Sequence, residues 1–190
     1  MVRLVIGSIL GGIAQFFIGF IFWGTPLNRI AFKALGDVQS ADLQAALARN
    51  LTVTGTGTYS VPWTGSQQGT ALFGQGPIAT IHFNTSGFPA LDSASLIAGL
   101  ILSIVTAFLI GMVLHGVAHR VTALAERMRI VVLFAAAAVL YLDLGQPVYN
   151  HFGWPYFIYS GLCDLIGLIV AGLVIAKWFL PNPTSTVDRV

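Results

Sequence analysis

Two aspartates, Asp143 and Asp164, lie within or at the end of strongly apolar stretches of this chain. An ionised carboxylate is costly inside a bilayer, and such residues commonly mark proton or cation pathways. We expect the two side chains to meet near Tyr141, Gln146 and Tyr159. Two interpretations stay open at this stage. One is a proton or cation site; the other is a polar clasp in which Asp164 is protonated or hydrogen-bonded to tyrosine and Ser160. The lack of Lys or Arg at that depth favours the clasp.

Two of the four histidines, His115 and His119, are spaced so that one helix face could chelate a metal. A haem between helices would instead need ligands from two helices, and no other apolar run has a histidine near that end. The sequence therefore predicts an interfacial polar cap, with no metal and no cofactor. It also contains no nucleophile elbow, no His-Glu-x-x-His and no phosphate-binding loop, so we predict no catalytic residues and no enzyme.

The composition points to lipid as the solvent of this chain. Hydrophobic residues make up 56% of it and charged residues 8%, whereas soluble domains are about 25% charged. The formal net charge is only +2 and there is no basic run, which argues against a nucleic-acid partner. One cysteine, Cys163, excludes an internal disulfide.

Four apolar runs predict four transmembrane helices, at residues 4–23, 96–117, 130–147 and 155–180. Most approach the roughly 20 residues that a bilayer core requires, and the third is the weakest. We interpret the first run as a retained anchor, because a lone Arg3 is a poor signal-peptide n-region. The predicted fold class is thus a mainly α membrane protein with a small α+β extracytoplasmic domain at 25–92 and a cytoplasmic tail at 181–190.

Basic residues predict the orientation of these helices, because cytoplasmic loops are enriched in Lys and Arg. Most of them fall on one side if all four runs span: Arg3, Arg120, Arg127, Arg129, Lys177 and Arg189. Both termini are therefore expected in the cytoplasm, in a multi-pass protein.

The segment between the first two helices predicts two short helices followed by a β-hairpin. The helices are expected at 27–35 and 41–49, the second with Ser40 as its N-cap. The strands are expected within 52–63 and 78–84, where Thr, Val, Ile and aromatic residues recur, with 64–77 as a long turn between them. Such a hairpin is marginal by itself and needs something to cover it.

Small side chains recur every four residues along the second predicted helix, at Gly99, Ser103, Ala107 and Gly111. The first helix has Gly7 and Gly11 at the same spacing. Transmembrane helices associate by close packing, which small faces permit. The pattern fits packing within this chain, and it also fits a face reserved for another subunit.

Several motifs are similar to those of a family of small four-helix bacterial inner-membrane proteins without an assigned activity. They are Phe22-Trp23-Gly24, Gly76-Pro77, Trp154-Pro155-Tyr156, and a fourth helix that runs through Asp164-Leu165-Ile166-Gly167 to Ala171–Ala176. The resemblance implies a bacterial inner membrane and a periplasmic domain. It carries over no catalytic residue.

The leading functional hypothesis from the sequence is a non-catalytic accessory subunit or assembly factor of a larger inner-membrane complex, respiratory or photosynthetic. Its expected partners are the lipid bilayer and other membrane protein subunits. The alternative is a small proton- or cation-coupled transporter that uses Asp143 and Asp164. A membrane-embedded enzyme or a lipid-binding protein is a third possibility.

Overall fold

The computed structural model describes residues 1–180. The tail predicted at 181–190, with Arg189, lies outside these residues. In chain order the elements are α1 (Val2–Trp23), a 3₁₀ helix (Pro26–Ile30), α2 (Asp37–Leu51), β1 (Gly57–Val61), α3 (Gln67–Gln75), β2 (Ala79–Phe83), α4 (Ser93–Val117), α5 (Leu124–Leu142), α6 (Gly145–Asn150) and α7 (Trp154–Trp178).

The chain forms two compact units. Among the described residues, the helical unit contains 1–33 and 93–180, and the second unit contains 34–92. Among residues 1–180, four helices are long and apolar enough to cross a membrane: α1, α4, α5 together with α6, and α7. Together with the small two-stranded sheet, this confirms the coarse prediction of a mainly helical protein with four candidate membrane spans.

In the helical unit, α1 packs along both α4 and α7, and α5 packs along α7. Small residues permit these close approaches. A Cβ atom at Gly11 would lie 3.0 Å from the carbonyl oxygen of Ala171, and one at Gly12 would collide with the backbone of Ile104. The buried core consists of Ala107, Leu114, Val131, Ala171, Ile175, Ala176 and Leu180.

The third candidate span begins earlier than predicted. Helix α5 starts at Leu124 instead of residue 130, so its first turns include charged residues. Glu126 is favourable there because the N-terminus of a helix attracts negative charge. Arg127 is buried against the protein interior and not displayed at the surface. After Asp143 the chain turns directly into α6.

Residues 34–92 form the α+β unit. The segment between α1 and α4 differs from its prediction in three ways. Helix α2 starts at Asp37, so Ser40 lies within its first turn and is not its N-cap. The residues predicted as a long turn contain helix α3, because the Ser66 hydroxyl accepts a hydrogen bond from the Gly69 N–H (3.0 Å) and caps a helix there. The helix predicted at 27–35 is only the 3₁₀ helix Pro26–Ile30.

The two strands pair in antiparallel register. Tyr59 faces Ile81 and Thr58 faces His82 across the pair, and the Thr58 hydroxyl lies 3.1 Å from His82 Nδ1. Cross-strand pairs of this kind stabilise a sheet by roughly 0.2–1 kcal/mol each. The sheet has no third strand among the described residues.

Candidate functional site

The structure brings Asp143 and Asp164 to one cavity of about 150 Å³ in the helical unit. Three helices contribute to its lining. Asp143 and three apolar residues come from the end of α5, Asp164 and Leu168 from α7, and Gln15 from α1. The two aspartates therefore line one cavity. Gln15 is a third polar residue of its lining, which the sequence analysis did not assign to the site.

Glycines on α7 explain this arrangement. Gly161, Asp164 and Gly167 are three residues apart and therefore lie along one face of the helix. Asp143 packs at the first glycine, where a Cβ atom would be 3.4 Å from the Asp143 Cβ. Gln15 packs at the second, where a Cβ atom would be 3.3 Å from the Gln15 Cγ. Asp164 consequently lies between the other two polar side chains.

The oxygens of this site have few hydrogen-bond donors. The Ser160 hydroxyl hydrogen-bonds to the Asp143 carboxylate. Gln15 Oε1 is buried and has no hydrogen-bond partner among residues 1–180. Asp164 is exposed and lines the cavity. The carboxylates and the Gln15 amide oxygen are acceptors, and among residues 1–180 the lining of the cavity contains no Lys or Arg to pair with them.

Tyr159, the third residue predicted for this site, lies on another face of α7. It is five residues from Asp164, which places it about 140° around the helix. Its hydroxyl donates a hydrogen bond to the Phe22 carbonyl oxygen (2.6 Å), and its ring packs 5.2 Å from those of Phe22 and Trp23. Tyr159 therefore holds α1 against α7 and does not line the cavity.

An apolar groove adjoins the polar cavity. It has a volume of about 310 Å³, and its walls are α4 and α5. Leu168 of α7 and Ala138 of α5 line both the groove and the polar cavity. Apolar and polar surfaces therefore meet at these two residues.

The small residues predicted as a packing or partner face are mostly used within the chain. Ala107 is fully buried, and Gly111 packs against Leu4 and Ser8 of α1. Gly7 packs against Phe179 and Gly11 against α7. The packing is looser at the other end of the row, where a Cβ atom at Gly99 would find only the Phe16 ring at 3.7 Å. Ser103 donates to the Gly99 carbonyl oxygen (2.9 Å).

Arg127 and the histidine pair lie where α4 ends and α5 begins. Arg127 is one of the basic residues from which the orientation was predicted, and the structure buries it completely. Its Nε donates to the Val121 carbonyl oxygen (2.9 Å).

His115 and His119 are both exposed. Within residues 1–180 the structure brings no three His, Cys, Asp or Glu side chains together as a metal site.

The α+β unit has almost no interior of its own. Across residues 34–92, all of them described, only Gly69 is buried. Large apolar side chains are instead exposed, including Val53 (95%), Leu91 (79%), Trp63 (70%) and Phe88 (65%).

No protein-family model matches this chain, and neither curated proteins nor solved structures provide a match. The resemblance to four-helix inner-membrane proteins therefore stays a prediction from short motifs.

Proposed function

We propose that this protein is a non-catalytic accessory subunit or assembly factor of a larger bacterial inner-membrane complex, respiratory or photosynthetic in kind. In this proposal both termini face the cytoplasm, and residues 34–92 lie on the periplasmic side, where they bind a neighbouring subunit. The observation that carries it is the missing core of the 34–92 unit.

Burial of apolar surface is the main favourable contribution to folding, at about 25 cal/mol for each Å². Domains of about 60 residues are marginal even when they bury a normal share of their surface. In this unit α2 has no buried residue, and neither strand has one. A two-stranded sheet is also marginally stable in water without a covering element. A partner surface would supply the missing burial.

The exposed side chains indicate what kind of surface covers them. They are aliphatic and aromatic, and Trp63 is among the largest of them. Exposed apolar patches mark protein or membrane interaction sites, and tryptophan is enriched among the residues that dominate binding energy at protein interfaces. This composition supports a protein partner for the 34–92 unit.

The proposal is tested with tagged protein expressed at its native level and solubilised in a mild detergent. We expect the tagged protein to migrate in a complex that contains other membrane proteins and is therefore not a homo-oligomer. Trp63→Ser should release it from that species, whereas Trp63→Phe, which keeps an aromatic surface, should not. If the native protein migrates only as a monomer or homo-oligomer, the proposal is wrong.

A second candidate is a small proton- or cation-coupled transporter, and one observation favours it. Asp143 and Asp164 line the same cavity, as expected of carboxylates that bind a cation or proton. Purified protein reconstituted into liposomes should then dissipate a proton or sodium gradient, and Asp164→Asn should abolish that flux while assembly stays intact. Absence of flux in vesicles that contain correctly folded protein would exclude this candidate.

A further inference from the structure

From the groove and the adjoining polar cavity, we infer that the helical unit binds one transmembrane helix of a partner subunit between α4 and α5, and that a Lys or Arg of this helix pairs with Asp164. The inference rests on the proposed accessory function and names the element of the partner that is bound.

The first step is the shape of the site. Helices α4 and α5 form the two walls of the groove, and Leu168 of α7 lies between them. The lining is apolar throughout, from Leu109 and Val113 on one wall to Phe134 on the other. An occupant of this groove therefore presents an apolar face.

The second step is the charge at the end of the groove. Beyond Ala138 and Leu168 the surface changes to Gln15, Asp143 and Asp164. Within residues 1–180 the lining of this cavity contains no Lys or Arg. Gln15 Oε1 is buried without a hydrogen-bond partner among residues 1–180, and Asp164 is exposed. A complementary occupant therefore supplies positive charge and N–H donors.

The third step is the depth of Asp164. It is ten residues into α7, or about 15 Å along the helix axis. The helix is an apolar candidate membrane span, so the carboxylate lies well within it. Ionisable residues at such a depth pair with one another, with backbone carbonyls or with a partner group, because lipid provides no hydrogen bonds. An ordinary acyl chain would fill the apolar groove, but it would leave this carboxylate uncovered.

A second copy of this chain does not meet the charge requirement of the site. The apolar centres of α1, α4 and α7 contain no Lys or Arg, and the basic residues of α5 lie in its first turns. Among residues 1–180, a copy of the chain therefore has no Lys or Arg to present at the depth of Asp164. A different protein, with one basic residue in an otherwise apolar helix, meets both requirements.

The inference is tested by photo-cross-linking in cells. A photoreactive amino acid at position 138 lies where groove and cavity meet, and one at position 140 serves as the control because Leu140 is exposed (66%) on another face of α5. We expect position 138 to form an adduct with a helix of another protein that contains Lys or Arg, and position 140 to form no such adduct.

Charge variants then distinguish specific pairing from chance proximity. Asp164→Lys should reduce the adduct about tenfold or more, because like charges at a buried pair oppose association. Glu126→Gln, at an exposed carboxylate in the first turn of α5 that lines neither the groove nor the cavity, is the control and should have no effect. The Asp164→Lys variant is then combined with a change of the partner's basic residue to Asp, and we expect this charge reversal to restore the adduct. A purely structural role of Asp164 would not allow such a rescue.

If Asp164→Lys fails to fold, Leu168→Trp provides a test without a charge change, since the added ring would fill the groove while position 138 keeps its photoreactive residue. Adducts with lipid only, with a second copy only or with a helix that lacks a basic residue would overturn the inference. So would an adduct that is insensitive to both variants. If these results occur while Trp63→Ser still disrupts the native complex, the groove inference is wrong and the accessory-subunit proposal stands.

Discussion

Arg127 Nη1 donates a hydrogen bond to the carbonyl oxygen of Ala176 at 3.3 Å, which ties the first turns of α5 to the last turn of α7. The last carbonyl groups of a helix have no partner within the helix, and they attract positive charge. The carbonyl oxygens of Val121 and Ala176 both accept hydrogen bonds from this fully buried guanidinium, which compensates in part for its burial.

Replacing Arg127 should therefore destabilise the helical unit. We expect Arg127→Ala to lower the free energy of unfolding in detergent by about 2–4 kcal/mol, because buried carbonyl oxygens lose their charged donor. Arg127→Lys should recover only part of this loss, since an ammonium cannot reproduce the planar fork of the guanidinium. Arg129→Ala, at an exposed neighbour, is the control. Equal stability of the two alanine variants would contradict the prediction.

The contact of α1 with α4 depends on the absence of a side chain at Gly12. A Cβ atom there would lie 2.7 Å from the backbone nitrogen of Ile104. We expect Gly12→Ala to cost about 1–3 kcal/mol of unfolding free energy, because overpacking forces the two backbones apart. Gly19→Ala, in the same helix, has nothing within 4 Å among the described residues and should be close to neutral. Thermal unfolding of both variants in one detergent makes the comparison.

Tyr159→Phe should test the link between α7 and the end of α1. The change removes the hydrogen bond to the Phe22 carbonyl oxygen but keeps the aromatic contacts. We expect a loss of about 1 kcal/mol in unfolding free energy. Tyr156→Phe, in the same aromatic cluster, should have a smaller effect. If Tyr159 belonged to the polar site, its replacement would instead alter the cross-link formed at position 138.

Ser66→Ala should destabilise α3 by about 0.5–2 kcal/mol, because the helix loses its N-cap acceptor for the Gly69 N–H. Hydrogen exchange of the backbone amides at residues 67–75 measures this loss locally. Ser40→Ala is the matched control, since Ser40 lies within the first turn of α2 and is not its cap. If Ser40→Ala instead accelerates exchange in α2 relative to the unmodified protein, the original prediction of a Ser40 cap is correct.

Features that depend on local composition were predictable. The four candidate spans follow from the length of the apolar runs, because hydropathy acts residue by residue along a helix. The strand pair also follows from local sequence, since Ala79, Ile81 and Phe83 alternate with polar residues. The predicted approach of Asp143 and Asp164 required only that neighbouring helices place them at similar depth.

The sequence alone determined the four apolar helices and the two carboxylates in apolar stretches, whereas the lack of a buried core in residues 34–92 was visible only in the structure. The tertiary structure decided which neighbours these residues have. It placed Gln15 beside the aspartates, turned Tyr159 away from them and buried Arg127. The physical reason is that the rotation and spacing of packed helices depend on contacts between residues far apart in the chain, such as those of Gly161 and Gly167. Such contacts cannot be predicted from the pattern of neighbouring residues.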